Sequence, residues 1–220
     1  MSSNKSSCVS GNSQLQELFK KEKYIKKIQE KLPELFQLAR EESSKDNKVG
    51  MQVGSLRENI VIALLIYVFG ESSVSTDMSI TKKEVDVSVC NSPVSIKTKS
   101  TKGYSGVKLI WTVDWEKVKE FKDNYCPRID MIFVHIIWGE RGAFYYIPKE
   151  AQGDVFNNIG RDKYIKIPRQ GTNPRGVEIS AEALSRLVDH KYTQKIDIFW
   201  EKNTGLKFDP YKRWIHKWEK

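Results

Sequence analysis

The stretch Glu84-Val85-Asp86-Val87-Ser88-Val89-Cys90-Asn91-Ser92-Pro93-Val94-Ser95-Ile96-Lys97-Thr98 decides the fold. In its first half valines alternate with polar or small residues, which is the period-2 pattern of a half-buried strand, and residues 94–98 repeat the pattern. Asn91-Ser92 between the halves predicts a two-residue hairpin turn, which would place Asp86 directly opposite Lys97. The stretch therefore predicts a hairpin on which a carboxylate and an ammonium group share one polar face.

An aspartate opposite a lysine on a hairpin is usually an ordinary ion pair, which contributes roughly a few tenths of a kcal/mol. The sequence upstream favours a chemical role. A uniformly apolar run, residues 59–69, predicts a buried helix packed on a sheet, and Glu58 lies in the first turn of that helix or just beyond it. Two carboxylates and a lysine at one sheet edge would suit Mg²⁺, which takes oxygen ligands and keeps several waters.

This order of residues, Glu58 on a helix, Asp86 on a strand and Lys97 on the next strand, resembles the PD-(D/E)XK nuclease superfamily. Over nearly its full length the chain is similar to the ThaI family of type II restriction endonucleases. It departs from the superfamily motif, because Val85 stands where proline is usual and Ser95 stands where an acid is usual. The resemblance implies that Glu58 replaces the missing acid.

The resemblance further implies a Mg²⁺-dependent endonuclease that acts on double-stranded DNA. Asp86 would bind the metal directly with help from the backbone carbonyl of Ile96, and Glu58 would bind it directly or through water. Lys97 would lie beside the attacking water and offset the charge that builds in the transition state. A homodimer that cuts CGCG at its centre is also implied, with a cognate DNA methyltransferase as partner in the restriction system.

The pattern of apolar faces predicts a mixed α/β fold, in which a mixed β-sheet is flanked by helices and preceded by an N-terminal helical segment. The resemblance implies that this sheet is a restriction-endonuclease-like core. We expect residues 1–12 to be a disordered tail, residues 13–44 to be the helical segment, and residues 45–220 to be the nuclease domain. The formal charge of +9 and the pI near 9.3 point to a polyanionic partner.

Single residues and short segments of the sequence predict the positions of several helices, a loop and a strand. Pro33 is expected to start a second helix within the N-terminal segment, and residues 43–53 are expected to form a polar loop. Asp114 and Ser180 are expected to cap helices. Residues 129–138, which are rich in β-branched and aromatic side chains, predict a central strand.

The cysteines and a short apolar run indicate the cellular compartment in which the protein is expected. Cys8, Cys90 and Cys126 have no CxxC spacing, and an odd number of thiols indicates a reducing cytoplasm. The apolar run at residues 60–69 is too short to span a bilayer, so no membrane association is expected.

Basic residues near the hairpin and in glycine-rich segments are candidates for phosphate contacts or guanine readout. Lys99 shares the polar face with Lys97, and the other candidates are Lys102, Arg169 and Arg175. His135, within an apolar strand, is expected to be a hydrogen-bonded core histidine.

Met51 and Gln52 stand just before the helix that carries Glu58, in the expected loop. In the structural alternative, Met51 packs beneath that loop as a core extension, because methionine often fills irregular gaps. The functional alternative is that Met51 enters the base stack of DNA as an apolar wedge, with Gln52 making a hydrogen bond to a groove edge.

Two other functions remain open from the sequence. A Holliday-junction or repair nuclease could use the same acids and lysine while reading DNA shape. A noncatalytic DNA-binding protein could have kept the fold, and Ser95 in place of an acid is the best argument for that class.

Overall fold

The computed structural model describes residues 14–45, 51–77, 84–169 and 175–206, together with positions 208, 209, 211, 215, 217 and 218. The helices are α1 (Glu17–Lys20), α2 (Glu22–Lys45), α3 (Met51–Phe69), α4 (Trp115–Asn124), α5 (Lys149–Ile159), α6 (Arg161–Tyr164) and α7 (Ala181–Val188). The strands are β1 (Val74–Ser75), β2 (Val87–Val89), β3 (Ser92–Lys99), β4 (Lys108–Ile110), β5 (Asp130–His135), β6 (Arg141–Ile147), β7 (Ile165–Lys166), β8 (Val177–Ile179) and β9 (Gln194–Phe199).

Six strands form the main sheet in the order β1-β2-β3-β5-β6-β9. β3 and β5 are parallel, and the other neighbours are antiparallel, so the sheet is mixed as the sequence predicts. A smaller antiparallel sheet has the order β4-β8-β7. The fold is therefore a mixed α/β fold with an N-terminal helical segment.

Helices cover the main sheet on both faces, which explains why the sequence of its central strand is one apolar run. On β5, Ile132 and Val134 belong to the core cluster that includes side chains of α1 to α3. Met131 and Phe133 point the other way, into the cluster that includes side chains of the later helices and of the small sheet. A strand buried on both faces loses the alternation of a half-buried one, and residues 130–135 are accordingly all buried.

The N-terminal helices differ from the local sequence signals in two places. α2 is one helix of 24 residues with Pro33 in its interior, so the prediction that Pro33 starts a helix was wrong. Proline removes a backbone donor and costs about 3 kcal/mol inside a helix, but the adjacent Leu32 and nearby Phe36 are buried in the core and hold the helix through that position. The expected polar loop at residues 43–53 was too long, because α2 continues to Lys45 and α3 begins at Met51.

Both predicted helix caps are confirmed. The Asp114 carboxylate accepts hydrogen bonds from the backbone N–H groups of Glu116 and Lys117, and the Ser180 hydroxyl accepts one from Ala183. Along the described segments no helix is long and apolar enough to cross a membrane. The expected tail at residues 1–12 lies outside the described residues.

Asp130 joins the main sheet to the start of α5. Its carboxylate, 2% exposed, accepts hydrogen bonds from the Tyr146 hydroxyl at 2.9 Å and from the backbone N–H of Lys149 at 2.8 Å. Burial raises the pKa of Asp130 from its usual value, and the two donors oppose that rise. This single side chain therefore fixes where α5 begins relative to β5 and β6.

His135 is a hydrogen-bonded core histidine, as predicted. It is 6% exposed, and its Nε2 atom lies 3.0 Å from the carbonyl oxygen of Thr101. Its ring also packs against Tyr104 and Phe133. His135 thus attaches the loop after β3 to the core.

We expect acid to weaken this attachment. Burial lowers the pKa of His135 below its ordinary 6.5, so the stability that neutral His135 contributes is fully present above pH 6.5 and is lost as the pH falls through its folded value. Urea unfolding of the wild type and of His135→Gln on both sides of that pH isolates this contribution. On the acid side the free energy of unfolding of the wild type should fall relative to that of the variant. Identical pH profiles for the two proteins would contradict the assignment.

Candidate active site

The hairpin formed by residues 84–99 turns one position earlier than predicted. Cys90 and Asn91 have positive φ angles of 48° and 64°, and the strands pair Val87 with Val94 and Val89 with Ser92. Paired numbers therefore sum to 181, not 183, and Asp86 continues this register opposite Ser95 instead of Lys97. A shift of two residues keeps each side chain on its predicted face, so Asp86 and Lys97 still lie on one side as diagonal neighbours.

One carboxylate oxygen of Asp86 accepts three hydrogen bonds. Its Oδ2 atom accepts hydrogen bonds from the backbone N–H of Ile96 at 2.6 Å, from the Ser95 hydroxyl at 3.2 Å and from Lys97 Nζ at 3.2 Å. The Asp86 and Lys97 side chains are only 17% and 16% exposed, so water screens this pair less than an exposed ion pair. The other oxygen of Asp86 has no hydrogen-bond donor among the described residues and is available to a cation.

Glu58 is electrostatically coupled to this pair. It lies two turns into α3, because the helix begins at Met51, whereas the prediction placed it in the first turn or just beyond. Burial raises the pKa of Glu58, the nearby charge of Asp86 raises it further, and Lys97 opposes both effects. The negative charges of Glu58 and Asp86 repel each other, so a cation bound near both carboxylates would be stabilised.

The donor set fits a hard divalent cation. In an extended strand the N–H and C=O groups of one residue point to the same edge, so the Ile96 carbonyl lies on the side from which its N–H reaches Asp86. Asp86, Glu58 and this carbonyl would supply the oxygen ligands that Mg²⁺ prefers, with water and phosphate completing the shell. Among the described residues, no group of three or more histidine, cysteine, aspartate or glutamate side chains could hold a metal ion, so the set depends on two carboxylates and a main-chain oxygen.

Glu84 is a further acid near Lys97, and the sequence did not identify it as a candidate site residue. Burial raises its pKa to about 7, and the positive charge of Lys97 opposes the rise. Glu84 also lines a cleft of about 360 Å³ with Ile110, Tyr125 and Arg128 among its walls. Its place two residues before Asp86, on the same alternating face, was the available signal.

The predicted DNA contacts lie on or beside several different elements of the fold. Lys99 lies at the end of β3, and a β-carbon placed on Gly106 would lie 3.6 Å from its Nζ atom, so its side chain reaches the loop after that strand. Lys102 is exposed and forms an ion pair with Glu140. Arg169 and Arg175 are exposed at the two ends of the gap at residues 170–174, beside β7 and β8. Met51 and Gln52 are the first two residues of α3, and their side chains lie outside the described part.

Two comparisons with known proteins found similar chains. Residues 18–220 match the family described as restriction endonuclease ThaI. A solved structure described as a restriction endonuclease in complex with substrate DNA is 52% identical to this chain, with a TM-score of 0.85, and the match covers 93% of this chain and 98% of that one. No curated protein matches significantly. Because the family match spans most of its length, the chain belongs to the ThaI family of restriction endonucleases.

Proposed function

We propose that this protein is a Mg²⁺-dependent type II restriction endonuclease of the PD-(D/E)XK superfamily that hydrolyses phosphodiester bonds in double-stranded DNA. The observation that carries the proposal is the contact of Lys97 with Asp86, 3.2 Å between Nζ and Oδ2, beside the coupled carboxylate of Glu58. The Asp86 and Lys97 side chains lie on the polar face of a hairpin whose other face is core. Membership of the ThaI family supports the same reaction class.

Each group has a distinct role in this proposal. Asp86 and Glu58, with the Ile96 carbonyl, would hold Mg²⁺, which when bound supplies a Lewis acid for the scissile phosphate and lowers the pKa of a bound water. Lys97 stabilises the negative charge that builds on the phosphate oxygens and lies where it can orient the attacking water. Ser95 donates to Asp86 and keeps that carboxylate oriented, in the position where an acid is usual.

The substrate and assembly follow from the family. The related solved structure is described with substrate DNA, which supports duplex DNA as the partner of this chain. We propose CGCG, cut at its centre, as the target and a homodimer as the active form, because a two-fold site is matched by a two-fold protein. A cognate methyltransferase would protect the same sequence in the host.

Residues 45–220 are the proposed nuclease domain, and residues 13–44 are the proposed helical segment. That segment packs on the same core, since the rings of Phe36 and Trp200 lie 5.5 Å apart and Gln29 donates a hydrogen bond to the carbonyl of Asp197 in β9. These contacts tie α2 to the edge of the main sheet that is opposite the hairpin.

Met51 is proposed as an intercalating wedge, with Gln52 beside it. Position 51 precedes Glu58 by seven residues on one helix, so the two positions share a helix face and lie about 10 Å apart along the axis. If Glu58 faces the scissile phosphate, position 51 lies along the same duplex. Lys99, Lys102, Arg169 and Arg175 remain proposed contacts to phosphate or guanine.

Digestion of a sequenced plasmid with Mg²⁺ tests the function. We expect discrete fragments whose ends all fall within CGCG, no cutting in EDTA, and loss of these fragments with Met51→Ala because its binding is weakened. Cutting restricted to branched DNA would favour a junction or repair nuclease instead. Tight binding without cutting in Mg²⁺ or Mn²⁺ would favour the noncatalytic alternative, for which Ser95 at the acid position is the structural argument.

A further inference from the structure

One end of the small sheet displays apolar side chains on a rigid backbone. Trp111 is 51% exposed and Val113 is 68% exposed, and they flank the buried Thr112 in the segment that follows β4. The Thr112 hydroxyl accepts a hydrogen bond from the backbone N–H of Asp114, which in turn caps α4. The segment is therefore fixed at both of its ends, and its exposed side chains do not result from a loose chain.

β8 fixes this segment from the other side. The backbone N–H of Gly176 donates to the carbonyl of Thr112 at 2.8 Å, and a β-carbon at Gly176 would lie 2.2 Å from the carbonyl oxygen of Ile110. Gly176 has a φ of +86°, so glycine is required there both by its conformation and by the close approach. The approach places the backbone of Gly176, the residue after Arg175, against Trp111 and Thr112.

Positive charge surrounds these apolar side chains. Lys108 and Lys166 share one carboxylate, that of Glu178, at 2.8 Å and 3.1 Å. In the part of the chain that the structure describes, Arg175 has no carboxylate partner. Among the described residues, Lys108, Lys166 and Arg175 thus exceed the charge of Glu178 on and beside the small sheet, while Asp114 is paired with Lys117. This balance favours a polyanion.

The hairpin of residues 84–99 lies close to this surface. Ile110, which directly precedes Trp111, lines the same cleft as Glu84. Glu84 in turn is two residues from Asp86, so this cleft lies between the strand that leads to Trp111 and the segment that leads to the proposed metal-binding carboxylate. A DNA duplex has the length and the charge to contact both sides of the cleft.

We infer that Trp111, Val113 and Arg175, which we call the Trp111 surface, form a second DNA contact beside the cleavage site. Trp111 and Val113 lie against sugars and base edges in a groove, and Arg175 binds phosphate. An exposed tryptophan near an arginine that has no carboxylate partner among the described residues, on a rigid support, has the composition of binding hot spots, because little side-chain freedom is lost on binding. The inference rests on the proposed action on duplex DNA.

The test measures binding separately from cleavage. Fluorescence anisotropy in Ca²⁺, with a short duplex that contains CGCG and a scrambled duplex, is compared for the wild type, Trp111→Ala, Trp111→Phe and Arg175→Ala. We expect Trp111→Ala to raise the Kd on the order of 10-fold, with Trp111→Phe recovering most of the loss. Arg175→Ala should reduce the slope of log affinity against log salt by about one.

Phe199→Ala is the matched control. Phe199 is 55% exposed on β9, at the edge of the main sheet farthest from β2, and its removal should leave the Kd unchanged. Thermal unfolding and sedimentation of each DNA-free variant accompany the binding curves. We expect wild-type values for both, because the Trp111 surface is exposed.

The outcomes separate this inference from the proposed function. A wild type that cuts DNA, with unchanged affinity and salt slope for Trp111→Ala and Arg175→Ala, would overturn the inference alone. Loss of self-association in the DNA-free variants, with DNA affinity per assembled dimer intact, would also overturn it and would make the surface a contact between two copies. A wild type that binds but does not cut, with weaker binding by the variants, would overturn the nuclease function and support the contact. A wild type that binds neither duplex would overturn both.

Discussion

Lys97→Ala is expected to reduce cleavage of duplex DNA by at least about 10²-fold while DNA binding in Ca²⁺ persists. The reason is that Lys97 Nζ, 3.2 Å from Asp86 Oδ2, is the cation that we propose offsets transition-state charge, and preorganised groups of this kind contribute about that much to rate. The side chain is on the polar face of the hairpin, so its loss leaves the core intact. Single-turnover cleavage, together with the Kd, separates the chemical step from binding.

Two further variants complete this experiment, a control and a second site variant. Lys195→Ala removes a lysine that forms an ion pair with Asp197 on β9, far from the hairpin, and it should cut at the wild-type rate. Asp86→Asn should lose cleavage as severely as Lys97→Ala, because both act on the same step. Near wild-type cutting by Lys97→Ala would refute the proposed site, whatever the other variants do.

Asp130→Ala is expected to cost about 3 kcal/mol of folding stability, or roughly 6–12 °C in Tm. The substitution leaves two buried donors, the Tyr146 hydroxyl and the Lys149 backbone N–H, without the acceptor that they now share. Each unsatisfied buried group costs about 1–3 kcal/mol. Urea unfolding of the DNA-free protein measures the loss.

Tyr146→Phe separates the two donors. It removes the hydroxyl instead of stranding it, so we expect a loss of only about 1 kcal/mol. In the double variant, Asp130→Ala should cost less than it does alone, because the hydroxyl is no longer left unsatisfied. Strictly additive losses would mean that Asp130 and Tyr146 do not act as one unit.

Alternation of side chains was enough to predict the faces of the hairpin, but local sequence did not locate its turn. Asn91 readily adopts a left-handed conformation, and Ser92 follows it, so Asn91-Ser92 was the expected turn. The turn instead uses Cys90, whose backbone N–H donates to the carbonyl of Ser73 and whose thiol contacts Gln14. These partners are distant in sequence, and no local pattern contains them.

The other parts of the site also divide into those that local sequence predicts and those that depend on partners distant in sequence. The apolar run that predicted α3 is buried chiefly through Val61 and Leu65, while its true start at Met51 lies in a polar stretch that the hydrophobic pattern does not reach. Glu58 was identified because an acid preceded an apolar run. Glu84 was missed because its significance depends on burial and on the nearby Lys97, which only the fold brings together.

The two-residue turn at Cys90 and Asn91 also limits how the length of this hairpin can vary during evolution. Inserting or deleting one residue there would exchange the faces of everything that follows, turning Lys97 toward the core and Ile96 toward the solvent. A change of two residues preserves the faces. Viable insertions and deletions at this turn should therefore come in even numbers, and a relative with an odd change should carry a compensating bulge before Lys97.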